Sequence, residues 1–246
     1  TMSKYDILLV GESWVTLSFE IKGRNVLRDS SYEEAPDYLI AALESAEASV
    51  DFVPCHAVDE AMPTTVEGFD AYDLVILSDV GADTLQITPR VAAGETDADR
   101  CRVLAEYVAN GGALGMIGGY MSFAGKGGAA RYGRTALADV LPVEIATHDD
   151  RVEAPEGPRP TPTSSMPGSP PDSWPAILGY NQFEVTDDAD IWATIDNDPF
   201  LVVGNHGDGG TFAFATDCAP HWAPETFLEW EYLPTLWSGI LDQVID

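Results

Sequence analysis

Three apolar runs, YDILLVG (5–11), DLVILSDVG (73–81) and ALGMIGG (113–119), each stop abruptly at glycine and small polar residues. Continuous runs of this kind, without alternation, mark strands buried on both faces of a parallel sheet. SVDFVPC (49–55) reads as a further strand. Between the strands lie segments with helical spacing. Leu39, Ile40, Ala42 and Leu43 give YEEAPDYLIAALESA that periodicity, with Ser31 as its expected N-cap. DADRCRVLAEYVANGG carries Leu104, Tyr107 and Val108 on one face and stops at Gly111. Strands alternating with helices predict βαβ units and an α/β fold.

The pattern loosens elsewhere. ESWVTLSFEIKGRN (12–25) reads as a long loop with aromatics. TALADVLPVEI reads as a short helix followed by a strand. Residues 154–175 hold eight prolines and no periodicity, so they are expected as an extended surface excursion rather than a separate domain. DIWATI, PFLVVGNH and GTFAFATD are strand-like, and GDGG (207–210) is a hairpin signal between the last two. ETFLEWEYLPTLWSGILDQVI is helical, with Pro234 forcing a break or kink. There is no internal repeat, and a single domain over 1–246 is the simplest account.

Charge narrows the function classes. The net charge is −29, and lysine occurs only at Lys4, Lys22 and Lys126. The acids are scattered, and six tryptophans with regular apolar strands argue against an acidic disordered chain. This balance suits a salt-rich cytoplasm, where ionic strength screens self-repulsion, so a halophilic source is expected. Nucleic-acid binding is disfavoured because no basic patch exists. No apolar run approaches the ~18 residues of a membrane span. The N-terminal stretch enters a strand without a leader-like pattern, so a cytoplasmic protein is expected. Cys55, Cys101 and Cys218 are odd in number and widely spaced, which fits a reducing compartment and neither a zinc site nor a disulfide scaffold.

In an open parallel sheet, ligands bind beyond the carboxyl ends of the strands. The loops expected there are Gly11-Glu12-Ser13-Trp14, Ser78-Asp79-Val80-Gly81, Gly118-Gly119-Tyr120-Met121-Ser122 and Asp217-Cys218-Ala219-Pro220-His221-Trp222. Glu12, Trp14, Asp79, Gly119, Ser122, Asp217 and Trp222 are therefore the candidate ligand-binding residues, and Tyr120 and His221 the candidate catalytic ones. Each also has a structural reading. Tyr120 could fill an emptied pocket, Asp217 could cap a helix, Asp79 could form a turn, and the tryptophans could simply pack. No ligand spacing points to a metal, and Gly118-Gly119 lacks the lysine of a phosphate loop, so no cofactor is implied.

The order of these elements resembles the class I glutamine amidotransferase superfamily, and more narrowly its amidotransferase-like cytoplasmic proteins of unknown function. GESWVTLSFEIKG (11–23), YDLVILSDVGAD (72–83), GGALGMIGGYMSFAG (111–125), GRTALADVLPVE (133–144) and FAFATDCAPHW (212–222) carry the resemblance. It implies a three-layer, flavodoxin-like sandwich with a mostly parallel central sheet and antiparallel additions in the C-terminal half. It also implies a strand–turn–helix elbow, GxCxG, whose cysteine attacks the glutamine amide while elbow amides hold the oxyanion. Here the cysteine position falls on Tyr120, and a phenol with a pKa near 10 is a weak nucleophile toward amides. Ser122 stands at the second elbow glycine. His221 and Glu225 lie where the family's His and Glu fall, with a different spacing, so no triad is carried over. Cys218 lacks the elbow amides.

Three readings follow. The first is an amidotransferase-like protein without glutaminase activity, binding a small polar metabolite at the carboxyl edge. The second is a hydrolase of altered chemistry using Tyr120, Ser122 or a metal with His221. The third is an assembly protein, a homo-oligomer joined through the Pro-rich excursion and the Trp-rich C-terminal helix.

Overall fold

The computed structural model describes residues 3–245; residues 1, 2 and 246, the outermost of the expected 1–246 domain, lie outside the described part. Among the described residues, fourteen strands occur in chain order: β1 (Tyr5–Gly11), β2 (Ser13–Lys22), β3 (Asn25–Glu34), β4 (Ala48–Pro54), β5 (Leu74–Ser78), β6 (Ala113–Ile117), β7 (Val143–Glu144), β8 (Arg151–Glu153), β9 (Thr161–Pro162), β10 (Gly179–Asn181), β11 (Glu184–Val185), β12 (Asp190–Ile195), β13 (Asp198–His206) and β14 (Gly209–Phe214). The α-helices are α1 (Asp37–Ser45), α2 (Val58–Ala61), α3 (Ala82–Gln86), α4 (Pro89–Ala92), α5 (Arg100–Ala109), α6 (Glu225–Leu228) and α7 (Leu233–Ile245).

Eight strands form one mixed sheet in the order β4-β1-β5-β6-β14-β13-β12-β9. The first five run parallel and the last three join antiparallel. β5, β6 and β14 are buried at every residue, as central strands covered on both faces are. Helix α1 packs on α7 and α3 on α5, and the arrangement fits a three-layer α/β sandwich. Asp99 caps α5 by accepting from the Cys101 amide at 3.0 Å, and Cys101, Leu104, Tyr107 and Val108 form its buried face.

Four local expectations change. The segment read as a loop after β1 is an antiparallel ribbon, β2 paired with β3 over ten residue pairs. Ser31 lies in β3, and α1 begins after Pro36. The Pro-rich segment is only partly superficial: Thr161–Pro162 extend the sheet edge, and Trp174 is fully buried against Phe200. The C-terminal segment does break, but upstream of Pro234: α6 ends at Leu228 and Pro234 stands in the first turn of α7, where a proline gives up an amide that has no helical partner. α7 turns Leu236, Trp237, Ile240 and Leu241 into the core, so one face of this helix covers its own sheet.

Candidate functional site

Numbered among themselves, the five parallel strands run 2-1-3-4-5, and the change of direction falls between β1 and β5. The ends of these two strands are pressed together. Gly11 has φ 122°, and a Cβ there would lie 1.7 Å from the Ser78 carbonyl oxygen, so no side chain fits. The close approach lets the Glu12 amide donate to that oxygen at 2.9 Å. Glu12 (φ 40°) and Asp79 (φ 47°) both follow their strands in the left-handed region, where non-glycine residues are uncommon and cluster at functional positions.

Glu12, Asp217 and Cys218 are buried, and their ligand atoms lie within 4.8 Å of one another. The Ser78 hydroxyl donates to Glu12 Oε1 at 2.5 Å and sits 3.4 Å from Cys218 Sγ. Asp217 Oδ1 accepts from the amides of Cys218 (2.7 Å) and Ala219 (3.1 Å). Burial, then the nearby Asp79 carboxylate, push Glu12 up to about 7. Burial, then Glu12 and Asp79, hold Asp217 well above the usual carboxylate range. The Cys218 thiol is likewise raised well above its ordinary value by burial and these acids. Glu12 thus has the proton affinity of a general acid or base. At 1% exposure, however, it faces Ser78 and not an incoming ligand. These three groups are the described residues close enough together to hold a metal ion, and His221 is not among them.

The loop after β6 differs from the expected elbow. Turns and short 3₁₀ segments follow the strand, with no α-helix before Val143. Gly125, Gly127 and Gly128 all have positive φ, which interrupts helical winding. Asp79 reaches into this loop. Its Oδ1 accepts the Met121 amide at 2.7 Å, and its own amide donates to Ser122 Oγ at 3.1 Å. Gly119 (φ 155°) is required here, because a Cβ would come within 2.7 Å of Asp79 Oδ1. The Gly119 amide donates to Asn181 Oδ1 at 2.9 Å. Asn181 Nδ2 donates in turn to Asp150 Oδ1 at 2.9 Å, and Asp150 also accepts the Ala124 and Gly125 amides. Asn181 and Asp150 are supports that sequence reasoning missed; Asp150 lies in the polar run THDDR and Asn181 beside Gln182, with no periodicity to single either out.

Tyr120 faces outward from the loop. Its hydroxyl donates to Glu153 Oε1 at 3.0 Å, and Trp222 Nε1 donates to Glu153 Oε2 at 3.1 Å. Its ring meets His221 edge-on at 4.8 Å and Trp222 at 5.5 Å. Lys126 Nζ lies 4.5 Å and the Arg151 guanidinium 5.1 Å from the ring centre. Burial and the bond to Glu153 push the phenol up, outweighing Arg151. His221 is 47% exposed, with Nδ1 4.0 Å from Asp217 Oδ2.

The fold therefore gathers Glu12, Asp79, Gly119, Tyr120, Ser122, Asp217, His221 and Trp222 at one sheet edge. Trp14 stands apart on the ribbon, 38% exposed beside its cross-strand partner Glu33. Ser122 is buried, with its oxygen engaged by the Asp79 amide.

Residues 6–246 match a family described as "Putative glutamine amidotransferase". The chain belongs to this glutamine amidotransferase-like family. No curated protein is found to be similar. Among solved structures, it is similar to the cytoplasmic protein STM1381 from Salmonella typhimurium LT2, with 38% identity over 98% of this chain and 100% of that one at a TM-score of 0.93. The cytoplasmic protein STM3548 from Salmonella typhimurium is 37% identical over 97% of this chain and 98% of that one, with a TM-score of 0.91. The exo-beta-1,4-mannosidase Op5Man5 from Opitutaceae bacterium strain TAV5 shares 19% identity, 98% of this chain matching 36% of that one at a TM-score of 0.50, a likeness of fold alone. No described helix is long and apolar enough to cross a membrane.

Proposed function

We propose that this protein uses the amidotransferase frame without glutaminase chemistry and binds a small polar metabolite with an anionic group at the carboxyl edge of its sheet. The observation that carries the reading is the Asp79 carboxylate on the Met121 amide. An amide just past the nucleophile position is the donor an oxyanion needs. Here a protein carboxylate already occupies it, and places negative charge where an oxyanion would form. The nucleophile position itself is a phenol with a raised pKa. Among the thiols, burial raises Cys101 to about 12 and holds Cys218 well above its usual value, so neither supplies a thiolate at neutral pH.

The ligand's charge is argued from the loop. Residues 118–134 contain Lys126, Arg131 and Arg134 and no acid, in a chain with a net charge of −29. Lys126, half-exposed His221 and the Tyr120 ring border one open face. A small carboxylate suits this face by charge and hydrogen bonding. The strand order supports the flavodoxin-like reading of the fold, and the cytoplasmic relatives support the same compartment for this chain.

Ammonia release from L-glutamine, measured in molar KCl, tests the first half. We expect no turnover from the wild type, Tyr120→Phe or Cys218→Ser; turnover lost in either variant overturns the reading. A melting-temperature screen of small carboxylates tests the second half. A rise that Lys126→Ala removes supports the binding face, and a rise that it leaves intact contradicts it.

A further inference from the structure

The β2–β3 ribbon is amphipathic without a core to serve. Directly paired residues share a face in an antiparallel ladder. One face carries Ser13–Glu34, Val15–Tyr32, Leu17–Ser30, Phe19–Arg28 and Ile21–Val26, and the other carries Trp14–Glu33, Thr16–Ser31, Ser18–Asp29, Glu20–Leu27 and Lys22–Asn25, so the second face is mainly polar with Trp14 and Leu27 as its apolar members. The apolar face is open: Val15 is 60% exposed, Leu17 65%, Phe19 60% and Ile21 75%. An antiparallel sheet with one apolar and one polar face is built to pack on something. A lone two-stranded ribbon is also marginal in water. The exposed apolar face amounts to on the order of 600 Å², the upper end of what monomers leave uncovered.

The ribbon's composition points to what covers it. Residues 13–34 hold three bases and four acids, so the ribbon is close to neutral while the whole chain carries −29. Two copies repel over most of their surfaces, and this is a surface where they can meet without that cost. The apolar side chains also run the full length of the face, from Val15 and Tyr32 at the root to Ile21 and Val26 at the tip. A two-fold axis through the middle sets the tip of one copy on the root of the other, apolar on apolar throughout. Two such faces bury on the order of 1,200 Å² in total, within the range of specific interfaces.

We propose that the β2–β3 ribbon is a self-association arm whose apolar face, formed by Val15, Leu17, Phe19, Ile21, Val26 and Tyr32, packs on the same face of a second copy of this chain. The proposal goes beyond the ligand reading and does not depend on it. The arm is rooted beside the site. The Ala35 amide donates to the Glu12 carbonyl at 3.0 Å, Ser13 Oγ accepts the Cys55 amide at 2.7 Å, and Tyr32 meets His56 edge-on at 5.1 Å.

Sedimentation velocity on the full chain in molar KCl tests it. The wild type should sediment at about twice the 26.4 kDa chain mass, and more weakly associated at low salt, where the copies repel. Leu17→Glu with Phe19→Glu should weaken association roughly 100-fold or more while leaving the circular dichroism unchanged, since both side chains lie outside the core. Thr16→Glu on the polar face should keep the wild-type mass. A wild type of 26.4 kDa, or an assembly that survives Leu17→Glu with Phe19→Glu, overturns the proposal.

Discussion

Glu12, Asp79 and Asp217 on one side of the loop after β6, and Tyr120, His221 and Trp222 on the other, share a sheet edge but manage charge by opposite means. Glu12 and Asp217 are buried and Asp79 half-buried; lost hydration holds all three carboxyls up in pKa, and neighbouring acids push Glu12 and Asp217 up further. The second group is more open around Tyr120 and His221, and the charges about it are paired: Arg151 with Asp149 at 2.8 Å and with Glu153 at 3.6 Å. Asp149 is accordingly held below the usual carboxylate range by Arg151 and the Gly127 amide. The buried pair Glu12 and Asp217 binds protons more tightly than ordinary carboxyls, and the open side displays charge. On the reading proposed above, the open side is the one that meets a ligand.

The contrast is broken most sharply by removing a buried support. Asn181→Ala strips partners from the Gly119 amide and from Asp150. It should cost about 3 kcal/mol or more in urea unfolding, whereas Tyr120→Phe on the open side should cost under ~1 kcal/mol. Equal costs would mean the two sides are not distinct.

Acidity separates them next. The folded pKa of Glu12 is raised from 4.5 to about 7. The native state therefore holds a proton that the unfolded state has released, and stability falls as pH rises through that window. Glu12→Gln should stabilise the protein by on the order of 2 kcal/mol near pH 8 and by little near pH 4. A benefit independent of pH would contradict the proton-storing role. Asp149 has the opposite sign: its depressed pKa gives stability that is present at neutral pH and lost on acidification. Asp149→Asn should therefore show a small loss at neutral pH, visible at low salt and screened out in molar KCl.

Legibility in the sequence followed periodicity. β1, β5 and β6 could be read because strands buried on both faces are written as unbroken apolar runs. The loops after them could be placed because the edge of a parallel sheet is a fixed location for ligands. The β2–β3 ribbon has its own signal, the alternation in VTLSFEI, masked by aromatics and nearby glycines that read as a loop. Asp150 and Asn181 were hidden for a different reason. Their bonds span 31 and 62 residues of chain, and no local pattern reports a contact made at that distance. The outline of an elbow was legible because Gly118-Gly119-Tyr120 marks a tight turn after a strand, with Tyr120 where the cysteine would stand. What ends the likeness is Asp79, a residue from another strand, lying on the Met121 amide.

Intact-mass spectrometry after exposure to an electrophilic diazoketone analogue of glutamine probes that point most directly. A working elbow would capture such a reagent covalently. With the Met121 amide occupied and Tyr120 bonded to Glu153, the account predicts that the 26.4 kDa chain remains unmodified. A single stoichiometric adduct mapping to Tyr120 or Cys218 would contradict it.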